Sequence, residues 1–321
     1  MRLLRLIPDD TKFGFMRFRP IAFGISAFIA AATIIGFLTI GLNIGIDFKG
    51  GTLVELQTKQ GNANLSELRT RLQSANVGDV QLQEFGGPNL VMLRYGEQPG
   101  GEQGQQAALR RVTALIDADY EIRRTEVVGP TVSAELVQMS VIGVLLSILA
   151  VLVYLWFRFE WQFAVAAMIA TLHDVTAIMA FYIFTQSDFD ITSIASVLTI
   201  IGYSLNDTVV VFDRIREMMR KHKKMPVAEL LDIAINSTLS RTTITATTTF
   251  LALLGLFFFG GEVIQGFTAS MLVGVVIGTY SSIFIAAPIL IYLGLRTGGF
   301  GATRQDEDEG EAAKAAAKAR A

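Results

Sequence analysis

The sequence predicts a membrane all-α bundle of six transmembrane helices carrying an inserted α+β domain of ferredoxin-like type. Three observations carry this reading. Of 321 residues, 51% are hydrophobic and 17% charged, with a mean hydropathy of +0.47; that balance points away from a soluble enzyme and towards an integral membrane protein. Six stretches are apolar over the roughly 20 residues that a bilayer crossing needs: about 21–41, 136–157, 161–184, 191–212, 241–261 and 266–295. Between the first two lies a segment, 42–135, with short alternating apolar runs.

Residues 1–20 form a basic segment with Arg2, Arg5, Lys12, Arg17 and Arg19. The apolar run that follows has no clear Ala-x-Ala cleavage pattern, so it reads as a retained anchor. The insert then reads strand 51–58, helix 65–75, strand 80–85, strand 90–95, helix 102–116 and strand 120–128. Gly86-Gly87-Pro88-Asn89 supplies hairpin-turn chemistry. The order βαββαβ is the split, ferredoxin-like arrangement. Residues 136–295 supply spans two to six. The sixth carries Ser270, Gly274, Gly278, Ser282 and Ala286 at steps of four, a row that lets another helix approach closely and needs no chemistry. The tail, 296–321, has no apolar face and is expected to be disordered.

Orientation follows from Lys and Arg in short loops. Arg214, Arg216, Arg220, Lys221, Lys223 and Lys224 lie between spans four and five, whereas the connections 185–190 and 259–266 contain neither residue. Both termini are therefore expected in the cytoplasm, with the insert on the far side of the membrane. The net charge of -2 says little about partners, because the charges are segregated by region; no nucleic-acid partner is expected.

The chemistry concentrates in the spans. Asp207 lies near the end of the fourth, where a carboxylate costs up to about 3 kcal/mol on insertion. Ile200, Tyr203, Ser204 and Asp207 share one helical face, which offers the acid hydroxyl neighbours. Arg214 follows seven residues later, so Asp207 sits roughly 10 Å from the inner boundary. Arg241 opens the fifth span and shares a face with Ser237, Thr245, Thr248 and Thr249. The two charges can meet at one level, and an acid held between burial and a guanidinium is suited to carry protons. A static ion pair, or an Arg241 that snorkels to the headgroups, are the plain alternatives. His173-Asp174, near the middle of the third span, could form an accessory relay, although consecutive helical residues point about 100° apart and need not touch; a polar packing cluster is the alternative. His222, among lysines, reads as a solvated loop residue.

Asp213 and Arg214 belong to a charged helix end that anchors topology. Gly45-Ile46-Asp47-Phe48-Lys49-Gly50-Gly51 leads from the first span into the insert, its glycines suited to a tight turn. Enzyme motifs are missing: there is no His-Glu-x-x-His, Gly-x-Ser-x-Gly or Walker lysine motif. With two His and no Cys, neither a zinc site nor another cofactor is expected. A transporter without its own energy-coupling domain must be driven by an ion gradient or by a partner.

The motifs GIDFKGG (45–51), Val128-Gly129-Pro130 with Glu135-Leu136, GYSLNDTVVVFDRIRE (202–217, with Asn206, Asp207, Asp213 and Arg214), Ser240-Arg241-Thr242 and FFFGGEVIQG (257–266) resemble the SecF family of the Sec protein-export machinery, part of the SecD/SecF lineage of the RND superfamily. The resemblance runs from about residue 5 to 295. It implies six spans with one large external domain, a place in the bacterial inner membrane, and pairing with SecD beside the SecYEG channel, often with YajC. It also implies use of the proton motive force to complete translocation of exported polypeptides, with Asp207 and Arg241 standing at the family's proton-transport positions. Ser133 and Met218 depart from the family pattern, where Gly and Asn are usual. The rival readings are half of an RND-type small-molecule or lipid exporter, and a purely structural assembly subunit.

Overall fold

The computed structural model of the chain describes residues 11–296; Arg2, Arg5 and residues 297–321 of the tail expected to be disordered lie outside the described residues. A single 3-10 turn, Phe15–Phe18, leads into α1, Arg19–Thr39. Pro20 stands in its first turn, where a missing N–H costs nothing.

The insert opens with the short turn α2, Ile46–Lys49, and continues β1, Gly51–Thr58; α3, Leu65–Gln73; β2, Val80–Phe85; β3, Gly87–Tyr95; α4, Gly101–Ile116; and β4, Tyr120–Val128. The strand order is β2-β3-β1-β4, and every neighbouring pair is antiparallel. Val54 and Leu56 of β1 and Val91 and Leu93 of β3 bury one face of the sheet against Leu68 and Leu72 of α3 and Val112 and Ile116 of α4. Asn64 caps α3 by accepting from the Glu67 N–H at 3.2 Å. The turn expected over 86–89 closes at Gly86 alone, at φ +65°. Gly87 already pairs with Phe85, so β3 starts three residues earlier than its alternating pattern.

Six described helices are long and apolar enough to cross a membrane, and the chain is a multi-pass membrane protein. After α1 come α5, Pro130–Arg158; α6, Trp161–Thr185; α7, Ile191–Lys221; α8, Val227–Phe259; and α9, Glu262–Ser281. The last runs through a π-helical turn, Ser282–Ala286, into α10, Ala287–Tyr292. α7 and α8 outrun their apolar windows: at 1.5 Å per residue they are roughly 46 and 50 Å long. Charged pairs keep the extension of α7 helical, with Glu217 bound by Arg214 and Lys221, each at 2.6 Å.

The row of small residues on α9 does what the sequence suggests. A Cβ on Gly274 would overlap Ile200, and one on Gly278 would lie 3.0 Å from the Ser204 Cβ. Close approach of α9 to α7 therefore depends on these glycines. Large apolar side chains such as Phe28, Ile34, Leu145, Leu146 and Phe157 point outward from α1 and α5, as lipid-facing surfaces require.

Candidate functional site

Asp207 is 3% exposed, and its Oδ2 has no hydrogen-bond partner among the described residues. The buried hydroxyls of Tyr203, one turn before it on α7, and of Thr242 on α8 are likewise unpartnered. Arg241 acts on Asp207 electrostatically, but no ion pair joins them, and Arg241 lies at the exposed surface of the helix pair. The geometry thus places the acid inside and the guanidinium at the rim. It corrects one expectation: Ser204 shares the Asp207 face but gives its hydroxyl to another acid.

That acid is Asp174, which is fully buried. Its Oδ2 accepts from the Ser204 hydroxyl of α7 and, at 2.8 Å, from the Ser281 hydroxyl of α9. Its Oδ1 lies 3.0 Å from His173 Nδ1, so the neighbouring residues do touch, a contact that 100° spacing alone does not require. The side chains turn towards each other because Asp174 is drawn inward by two serines. His173 Nε2 in turn lies 3.1 Å from Ser26 Oγ on α1. Three helices of the bundle and α1 therefore converge on one polar cluster.

Near the basic end of α7, Asp213 holds Arg158 of α5 through two bonds of 2.6 and 2.7 Å. Arg214 donates to Ser237 of α8 at 2.8 Å. Both act as helix-end clamps. Asn206 and His222 are exposed.

At the opposite end of the helices, the segment 43–51 is stitched to the α6–α7 connection. Phe189 N–H donates to the Asn43 carbonyl at 2.8 Å, and Gly45 N–H donates to the Phe189 carbonyl at 2.9 Å. The Asp47 carboxylate accepts from the Ile191 N–H at 3.1 Å, at the start of α7, where the helix dipole favours an anion. Phe48 stacks near Phe189, with ring centroids 6.2 Å apart, while Lys49 is exposed. Gly50 and Gly51 take φ of +70° and +124°. A Cβ there would overlap Glu97 and the Tyr95 carbonyl respectively. Gly129 caps α5 and Pro130 opens it; Ser133, a departure from the family pattern, turns its hydroxyl to the Pro130 carbonyl at 3.1 Å. Met218, the other departure, packs into the bundle core.

Sequence reasoning missed the strut that completes this junction. Arg94 of β3 forms a salt bridge with Asp188 in the α6–α7 connection. Burial lowers the guanidinium's hold on its proton, and Asp190 and Glu126 raise it again. Asp190 caps α7 through a reciprocal box with Ser193. That box, Asp-x-x-Ser before an apolar run, was the one available sequence signal. Arg94 carried none, because its partner lies 94 residues away in the chain. Among the described residues no cluster of metal-ligating side chains occurs.

Two family models match the chain: protein export membrane protein SecD/SecF, C-terminal, over residues 108–296, and the SecD/SecF GG motif over residues 35–61. The protein translocase subunit SecDF of Brucella abortus is 42% identical over 92% of this chain and 39% of its own length. The protein translocase subunit SecF of Cereibacter sphaeroides is 39% identical over 92% of this chain and 94% of its own. Among solved structures, SecDF from Thermus thermophilus superposes with a TM-score of 0.81 at 32% identity, covering 90% of this chain and 40% of that one. SecDF in a super-membrane-facing form gives 0.65 at 31% identity, covering 98% and 41%. The chain therefore spans about two fifths of the SecDF proteins and nearly all of the SecF subunit. On this identity and coverage, the chain belongs to the SecD/SecF family of protein-export membrane proteins.

Proposed function

We propose that the chain is the SecF-type subunit of a bacterial protein-export complex, coupling the proton motive force to late steps of polypeptide translocation. It would lie in the inner membrane with both termini in the cytoplasm, paired with a SecD subunit beside SecYEG and YajC. Residues 42–135 form its periplasmic, ferredoxin-like domain; the strand order β2-β3-β1-β4 with two helices on one face supports that reading. Residues 136–295 complete the membrane domain.

The observation that carries the proposal is Asp207, buried in a membrane span with an unpartnered oxygen and a cation at its rim. Burial without partners is expensive, and intramembrane acids of this kind are typically functional. Protonated, Asp207 releases Arg241; deprotonated, it draws Arg241 inward. Asn206, Arg241 and Thr248 are exposed on helices that carry membrane-crossing apolar windows. Lipid is a poor neighbour for them, which supports a second subunit covering the α7–α8 face. One charge crossing 100 mV releases about 2.3 kcal/mol, enough to bias such a contact.

The junction at 186–191 supplies the route outward. α6 and α7 carry the buried acids, and their connection is bonded to 43–47 and to Arg94 of the sheet. A shift of that hairpin moves the insert. Asp207→Asn should abolish gradient-dependent export, measured as precursor translocation in vesicles, while the subunit still inserts and co-purifies with its partner. Normal gradient-dependent export by that variant would refute the carrier role.

A further inference from the structure

Asp174 is the most enclosed ionisable group in the described bundle, and it takes no part in the Asp207–Arg241 interaction. It is fully buried. Every group facing it is neutral or titratable: His173 from its own helix, Ser204 from α7 and Ser281 from α9. No Lys or Arg among the described residues pairs with it. An acid that only braced helices would gain from a fixed cation; this one has a histidine and two rotatable hydroxyls, groups that both donate and accept. A second observation stands beside it. Ser281 is the last residue before the π-helical turn Ser282–Ala286, and π turns inside helices recur at functional sites.

We propose that the Asp174–His173 pair is a second proton-binding site on the same path as Asp207, with Ser204 as the hydroxyl link between them. This rests on the reading that Asp207 carries a proton. Asp174 lies one turn further from the inner helix end than Asp207, because Ser204 precedes Asp207 by three residues on α7. A proton entering past Ser26 binds His173 Nε2, and His173 Nδ1–H passes its proton to Asp174 Oδ1. Rotation of the carboxyl group brings that proton to the Oδ2 position, the Ser204 hydroxyl turns its own hydrogen away, and Asp174 then gives the proton to Ser204 Oγ as the Ser204 O–H proton leaves towards Asp207. The acceptor there is the unpartnered Asp207 Oδ2; no direct bond joins the two side chains, so the relay requires a water to bridge them. Each transfer breaks one O–H or N–H bond and forms another, so charge and atoms balance.

Ser204 and Ser281 separate a relay from a brace. Both donate to the same carboxylate oxygen, but only Ser204 lies on the path. Proton uptake driven by an imposed gradient should be read with a pH-sensitive dye in vesicles carrying the full complex. Asp174→Asn and Ser204→Ala should each cut uptake by about a hundredfold, and Ser281→Ala should stay within about twofold of wild type. Equal losses in the two serine variants, or wild-type uptake in Asp174→Asn, would overturn the proposal. If Asp174→Asn fails to insert, infrared titration of the purified complex decides. A pH-dependent carboxylic-acid band should survive Asp207→Asn and be diminished by adding Asp174→Glu, which shifts its frequency; a band lost with Asp207→Asn alone overturns the proposal. Should Asp207→Asn itself retain full gradient-dependent export, the parent reading fails instead.

Discussion

Gly51 shows how tightly single residues are specified where the membrane meets the insert. Its φ of +124° lies outside the range that side chains favour, and a Cβ would overlap the Tyr95 carbonyl oxygen of the neighbouring strand. Gly51→Ala should destabilise the protein by about 2 kcal/mol, visible as a lowered thermal midpoint in detergent. Gly61→Ala, at a similar sign of φ but with open space around it, should cost less. The sequence made Gly50 and Gly51 legible because a GIDFKGG turn after a span suits glycine; Gly61 carried no such signal. Asp207 was legible for the same kind of reason, since a carboxylate within an apolar run is conspicuous. The partners of Asp174 were not: Ser26, Ser204 and Ser281 look like ordinary packing serines until α1, α7 and α9 are brought together.

Among the elements, hydropathy located every described span but not its ends. α7 and α8 continue past their apolar windows because ion pairs and core residues such as Ile215, Leu230 and Leu231 sustain the helix there. The π turn in the last span had no apolar signature. It ends two residues before Pro288, which cannot donate to the carbonyl four residues back. The α6–α7 hairpin is where element and function meet, because it is held from one side by Asp47 and from the other by Arg94. Arg94 is largely buried, so losing it should loosen the connection. In Arg94→Met, amide hydrogen exchange over 186–190 should rise by about tenfold. Arg71→Met, which breaks a half-exposed cluster with Glu67 and Asp119, should leave exchange there unchanged.

On the scale of the whole molecule, the arrangement is a set of spans whose buried acids sit below a rigid connection to a small sheet. Polar side chains are exposed on α7 and α8, and the chain matches about two fifths of the SecDF proteins; both observations support the proposal that a second subunit covers that face. In the coupling proposed above, a proton bound or released at Asp207 alters the attraction to Arg241 across that face, and the hairpin at 186–190 would carry the change to the insert. The direct measurement is the distance between spin labels on the exposed face of α4 and the inner end of α8, in the full complex in lipid. The distance distribution should shift between low and high pH in the wild type and stay fixed in Asp207→Asn. An unchanged distribution in the wild type, or the same shift in Asp207→Asn, would contradict the coupling.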